Sequence, residues 1–361
     1  MSALGLGKGA NLEALRSGRS GVGSVRYLRT ELRELPVGEV PIENDPLLSR
    51  TSLMGILAVR EAMQQAGISG ADYLISGTTV GGMDLTEQSW PRYNPSHDCG
   101  SITNEIAAAT GRFGCVTTLS TACSSAANAI ILGANLIRSG KAGIIVAGGT
   151  EALSDYHLHG FNSLMILDRN RCTPFTEGRA GLNLGEGAAF LVMESMESAL
   201  QRGAKPLCEL SGYGNACDAF HQTASSENGE GAFLAMQKAL AMAELKAEEI
   251  DYVNAHGTGT PNNDASESAA LRRVFGEKLP PVSSTKPLTG HTTSASGSIE
   301  AVFCMLAMQE GFIPLQAPGT DDPACISPAR GKGSAPAQLK HVVCNAFGFG
   351  GNDSSIILSA L

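Results

Sequence analysis

The chain has 361 residues, enough for two domains, or for one domain with two halves, at about 150 residues each. Hydrophobic residues make up 43 % and charged residues only 17 %, a balance that supplies a large core and excludes intrinsic disorder. A net charge of -9 excludes the bulk electrostatics suited to a nucleic-acid backbone or an anionic membrane surface.

In chain order, residues 52–65 have helical periodicity and 73–79 form a short β-type run. The longest uncharged stretch, 113–137, is long enough to span a bilayer, but it carries Thr117, Thr118, Ser120, Thr121, Asn128 and Asn135. It reads as protein interior, with a helix over 124–139. Strands follow at 143–148 and 188–194, and a helix at 195–202. Beyond these come a helix at 231–245, a strand at 250–255, helices at 265–274 and 298–309, and strands at 341–346 and 355–359. The strand runs are mostly continuous in apolar character, as strands buried on both faces are. The pattern is α/β, with sheets covered on both sides.

Two helices, 124–139 and 301–308, are apolar nearly all round and belong at the centre, between sheets. The runs from Tyr73 and from Tyr252 resemble one another, each an apolar strand entering a Gly-Thr turn, which points to two similar halves. The division falls near Pro206, giving 1–206 and 207–361. The 43 glycines, against roughly 25 at average usage, imply many tight turns and close backbone approaches. Nine cysteines, odd in number and without a C-x-x-C pair, read as reduced thiols in a cytoplasm, eight or all nine of them packing residues. No basic segment followed by an apolar run opens the chain, so no signal peptide is expected.

Four clusters place reactive groups in glycine-rich or helix-terminal settings. Cys123, within L-S-T-A-C-S-S-A-A, sits where a polar stretch becomes a helix. A helix N-terminus lowers a thiol pKa and offers an N–H to an oxyanion, so Cys123 is either a nucleophile or a small buried residue. His256 opens H-G-T-G-T-P directly after a strand, facing the crevice where α/β ligands bind or capping a turn. Residues 283–300 gather Lys286, His291 and Glu300 around the start of an apolar helix. Lys286 or Glu300 buried alone would cost several kcal/mol, so each needs a partner, plausibly the other, in a structural or a catalytic pair. Residues 345–353, N-A-F-G-F-G-G-N-D, form a turn between two strands, either a tight hairpin or a site of close backbone approach to a ligand. Other motifs carry less. Gly5-Leu-Gly-Lys-Gly-Ala10 fits G-x-G-x-x-A without a preceding strand, and no dinucleotide site is expected. His157 with His159 reads as a strand or loop coincidence, and no metal site is expected.

Taken in this order, the clusters resemble the β-ketoacyl-acyl carrier protein synthases of the elongating Cys-His-His type. The series is T-A-C-S-S around Cys123, H-G-T-G-T-P from His256, S-T-K-x-x-x-G-H ending at His291, and N-A-F-G-F-G-G. Further matches run A-G-G-T-E to Glu151, C-T-P-F from Cys172, and D-A-F-H-Q-T from Asp218, so the resemblance covers essentially the whole chain.

The resemblance implies a thiolase-like five-layered αβαβα sandwich of two similar halves, usually a homodimer. It implies that Cys123 takes an acyl chain from acyl carrier protein as a thioester. His256 and His291 would assist decarboxylation of a malonyl extender and stabilise the enolate that attacks that thioester. Backbone N–H groups of Cys123 and Phe349 would form the oxyanion hole, with Phe349 also gating the acyl site beside Gly350. Lys286, paired with Glu300, would maintain the field around His291. Thr258 and Thr260 would hold the phosphopantetheine arm, the only prosthetic group implied, carried by the partner. Glu300 and Gly350 complete the expected substrate-binding set.

The chain departs from the family in two places. Asn352-Asp353 stands where Thr-Asn or His-Asn is usual, and Ser294-Ala-Ser-Gly-Ser where A-A-G-A is usual. The carrier protein is acidic, and Arg60, Arg138 and Lys141 are the expected contacts. The alternatives are a chain-length-factor-like partner of a ketosynthase heterodimer, against which the retained Cys123 argues, and a thiolase. A thiolase uses a second Cys in the C-terminal glycine turn, where this chain has Phe347 and Phe349. In the family an apolar strand ending V-T-G precedes the segment matching Met1 to Gly5, so the resemblance implies a natural start upstream.

Overall fold

A computed structural model describes residues 1–361. Its first main sheet contains β1 (Gly70–Gly77), β2 (Arg112–Leu119), β3 (Ile144–Glu151) and β4 (Gly187–Glu194) in the order β2-β1-β3-β4. β1 is parallel to both of its neighbours, and β4 runs antiparallel to β3. The second holds β5 (Glu209–Cys217), β6 (Tyr252–Asn254), β7 (Val282–Ser283), β8 (His341–Gly348) and β9 (Asn352–Ser359) in the order β5-β9-β8-β6-β7. Here β6 is parallel to both of its neighbours and β9 is antiparallel to β8. The Tyr73 and Tyr252 strands therefore occupy equivalent central places, and the weak sequence echo between them marks two halves of like topology.

The principal helices are α1 (Arg50–Ala66), α2 (Cys99–Thr110), α3 (Ser125–Arg138), α4 (Asp155–Ser163), α5 (Glu230–Ala243), α6 (Pro261–Phe275) and α7 (Ser296–Glu310). α1 and α2 cover the outer face of the first sheet, and α5 and α6 that of the second. α3 and α7 lie between the sheets, where Ile130, Ala134, Ile299 and Phe303 meet Ile75 and Ile145 from one side and Val342 and Ile356 from the other. The two helices that are apolar all round thus form the middle of five layers. Small residues let them approach closely: a Cβ on Gly297 would lie 2.8 Å from the backbone nitrogen of Ala127.

Several expectations are corrected. The stretch 113–137 is only partly interior: α3 is buried on one side, but β2 is an edge strand with Arg112, Gly114 and Cys115 exposed. An edge strand has a neighbour on one side only, so its residues are less covered than those of β1 and β3. Cys115 and Cys217 are exposed, so seven cysteines at most serve packing. His157 and His159 lie on helix α4, which Ser154 caps by accepting a hydrogen bond from His157 N–H, rather than on a strand or loop. No helix is long and apolar enough to cross a membrane.

Candidate active site

Cys123 stands in the link between β2 and α3, directly after Ala122, whose φ of 52° is rare for a residue with a Cβ. His256 follows β6 by two residues, His291 follows the short helix Lys286–Thr289, and Phe349 tips the turn between β8 and β9. All of these segments end at one place. His291 Nε2 lies 3.1 Å from Cys123 Sγ, and the His256 ring meets the His291 ring edge-on with centroids 5.2 Å apart. The backbone N–H groups of Phe349 and of Cys123 itself favour the charged form of the sulfur. The residues converge from both halves of the chain.

Behind the imidazoles, Lys286 Nζ donates to Glu300 Oε1 at 2.7 Å, with both side chains buried. Glu300, expected among the substrate-binding groups, is committed to this pair. Burial raises the Glu300 carboxyl pKa while Lys286 pulls it back. Burial also pushes the Cys123 thiol up to about 11, against the opposing pull of Lys286. The helix N-terminus does not outweigh desolvation, so the expected low thiol pKa is corrected. Both imidazoles are held well below their ordinary pKa, by burial first and by Lys286 second. At neutral pH the resting pair is a thiol beside a neutral histidine.

The loop carrying His256 is fixed by Glu267 of α6, whose carboxylate accepts the N–H groups of His256 at 2.9 Å and Gly257 at 2.8 Å. Sequence reasoning passed over Glu267; its signal is an acidic residue on the buried face of the helix after H-G-T-G-T-P. Thr258 and Thr260 place their hydroxyls 2.9 Å apart at the start of the same helix, Thr258 buried and Thr260 half-buried. Gly350 is exposed at the turn tip with a φ of 81°. The Phe349 ring stacks on Phe161 of α4 with centroids 5.8 Å apart, a contact the sequence did not indicate. Glu151 accepts hydrogen bonds from Thr78, Thr79 and Ser294, tying β3 to the segment after His291. No group of three or more His, Cys or acidic side chains is arranged to hold a metal ion.

The basic residues expected to meet a carrier protein are not gathered at this site. Arg138 closes α3 and Lys141 follows it, at the opposite end of the helix from Cys123, roughly 20 Å away along its axis. Arg60, on α1, donates to Ala109 O. Arg169 and Arg171 are exposed a few residues beyond α4, the helix that packs against Phe349.

Two family profiles match the chain: the β-ketoacyl synthase N-terminal domain over residues 42–199 and the β-ketoacyl synthase C-terminal domain over 207–320. Nodulation protein E of Rhizobium meliloti is 36 % identical, covering 90 % of this chain and 86 % of that protein. A 3-oxoacyl-[acyl-carrier-protein] synthase 2 of Staphylococcus aureus is 33 % identical over 86 % of this chain and 81 % of its own. Among solved structures, the ishigamide ketosynthase/chain length factor superposes with a TM-score of 0.92 at 32 % identity, covering 100 % of this chain and 96 % of that one. A type II PKS acyl-carrier protein in complex with its ketosynthase bound to the hexaketide gives 0.89 at 26 % identity, covering 100 % and 97 %.

Proposed function

The chain belongs to the β-ketoacyl synthase family of acyltransferase-type condensing enzymes, and from that premise we propose that it elongates acyl chains on acyl carrier protein by decarboxylative condensation with a malonyl extender. The observation that carries this reading is the contact of His291 Nε2 with Cys123 Sγ, with His256 edge-on beside it. In the first half-reaction the thiol proton passes to His291 Nε2 while Sγ attacks the thioester carbonyl of the donor. The donor's C–S bond breaks, and its sulfur takes the proton from Nε2. The N–H groups of Cys123 and Phe349, which favour negative charge at the sulfur, form the oxyanion hole for the oxygen that becomes negative.

In the second half-reaction a malonyl thioester loses carbon dioxide, and the electron pair moves onto its carbonyl oxygen. Nε2–H groups of His256 and His291 stabilise that enolate, whose carbon then displaces Cys123 from its thioester, and the released sulfur regains its proton from water. Lys286 keeps the field at the site positive. Thr258 and Thr260 hold the phosphopantetheine arm, and Phe349 with Gly350 gates the acyl site. No cofactor beyond the partner's arm takes part.

A dimer forms through the exposed edge of β2, where an unpaired strand is a template for pairing with a second copy or a related subunit. The likeness to a ketosynthase/chain length factor and to a ketosynthase in complex with its acyl-carrier protein supports a heterodimer with a related subunit, beside a homodimer as the other arrangement, and an acyl carrier protein as partner. Nine unpaired cysteines suit a cytoplasmic location. The chain divides at 1–206 and 207–361. The test is elongation by a Cys123→Ala variant, with mass spectrometry of the intact protein after exposure to acyl carrier protein substrates. Wild type gains the acyl mass on Cys123 and the variant neither gains it nor elongates; an elongating variant sinks the mechanism.

A further inference from the structure

Resting on that reading, we propose that Ser296 is a positioning residue that lets His291 change tautomer between the two half-reactions. Ser296 Oγ lies 3.0 Å from His291 Nδ1 and 3.3 Å from Thr292 Oγ1, and all three residues are buried. It is the first residue of α7, in a run that carries Ser294, Ser296 and Ser298. A hydroxyl can both donate and accept.

The two half-reactions make opposite demands on His291. To take the Cys123 proton, Nε2 must present its lone pair, so the neutral ring carries its proton on Nδ1 and donates it to Ser296 Oγ. To stabilise the enolate, Nε2 must carry the proton, so Nδ1 presents its lone pair and accepts from Ser296 O–H. The change costs no net proton: Nδ1 releases one to water and Nε2 gains one from water between the steps. It is triggered where the site itself changes, because acylation removes the S–H that donates to Nε2. A backbone N–H could serve only the second tautomer and a carbonyl only the first.

The experiment has two arms. Nitrogen-15 NMR of histidine-labelled protein reads the His291 tautomer before and after acylation with a medium-chain thioester of N-acetylcysteamine. The free protein holds Nδ1–H, and the acyl-enzyme moves to Nε2–H. An unchanged tautomer in an acylated wild type overturns the proposal and leaves the condensing-enzyme reading intact, whereas a wild type that never acylates overturns both. In the second arm, Ser296→Ala lowers Cys123 acylation and malonyl decarboxylation each by about tenfold, the order expected for one lost hydrogen bond, and Ser296→Thr restores both to within about threefold. Rates in Ser296→Ala within twofold of wild type, or equal loss in both variants at unchanged melting temperature, overturn it.

Discussion

Replacing Lys286 by methionine separates the structural and the electrostatic roles of the buried cation. Its side chain and that of Glu300 are 1 % and 4 % exposed, and Glu300 Oε2 has no hydrogen-bond partner, so the ammonium is the main compensation for that carboxylate. Its loss leaves an uncompensated buried charge, a cost of about 3–5 kcal/mol against a total stability on the order of 5–15 kcal/mol. For a chain of this size the melting temperature falls by on the order of 10 °C. The loss also depends on pH. Burial already raises the Glu300 pKa above its ordinary value and Lys286 opposes the rise, so in Lys286→Met the value climbs further. The folded variant then binds more protons than the unfolded chain between the ordinary and the raised pKa. Its stability therefore falls as pH rises through that window, by at most about 1.4 kcal/mol per unit. Removing both charges in Lys286→Met/Glu300→Leu restores most of the stability and abolishes the slope. It does not restore turnover, because the cation also acts on Cys123, His256 and His291. Thermal melts from pH 5 to 9, paired with elongation assays, check each step. A single variant that melts with wild type at pH 8, or a double variant no more stable than the single, refutes the reasoning.

Three further outcomes are expected. With the Cys123 thiol at about 11, its alkylation by iodoacetamide, followed by mass spectrometry, climbs continuously from pH 6 to 9; a plateau below pH 8 would reveal a pre-formed thiolate. His256→Ala leaves Cys123 acylation within about threefold of wild type but lowers malonyl decarboxylation by roughly 10²–10³, and equal losses in the two steps would contradict the division of labour. Asp353, raised to about 7 by burial and by the neighbouring Asp218 and Glu267 carboxylates, favours folding below its unfolded pKa and loses that contribution as pH rises through 7. Asp353→Asn therefore flattens the melting profile between about pH 4 and 7 and melts higher at pH 8; a lower melt there would count against the assignment.

The catalytic groups were legible because each sits in a short loop that follows a strand or opens a helix, where glycine and small polar residues surround one reactive side chain. Their convergence was legible only through the family resemblance, since Cys123 and His291 are 168 positions apart and nothing local records the distance between them. Strand β5 escaped notice for a packing reason. A Cβ on Gly212 or Gly214 would come within 2.2 Å of the Ala239 or Ala235 carbonyl of α5, so glycines that look like a turn are there to admit a helix. Helix α2 rests on Ile102, Ile106 and Ala107, too few apolar positions to stand out among Cys, Gly, Ser, Thr and Asn. Helix α4 is built from Tyr, His, Gly and Asn, which are weak helix formers, and forms because Ser154 caps it and Leu158 is buried. Missing α4 also hid Phe161, the ring on which the gate rests.

The thiol is where local pattern and tertiary setting conflict, and the magnitudes say why burial wins. A helix N-terminus favours an anion by about 0.3–1 kcal/mol, less than one pKa unit. Burial of Cys123, a residue only 6 % exposed, raises the thiol pKa from 9.0 to about 11 even against the pull of Lys286, a few kcal/mol in the other direction. Lys286 does not reverse this by driving a thiolate–imidazolium pair, because it favours the thiolate while opposing protonation of either imidazole. What the cation favours is negative charge with no accompanying imidazolium. In the proposed cycle that description fits the enolate left after decarboxylation, and it does not fit the attacking thiolate, whose proton rests on His291. The resting site is thus uncharged apart from its buried ion pair, and reactivity arises when a thioester supplies the carbonyl that the two N–H groups at the sulfur are placed to receive.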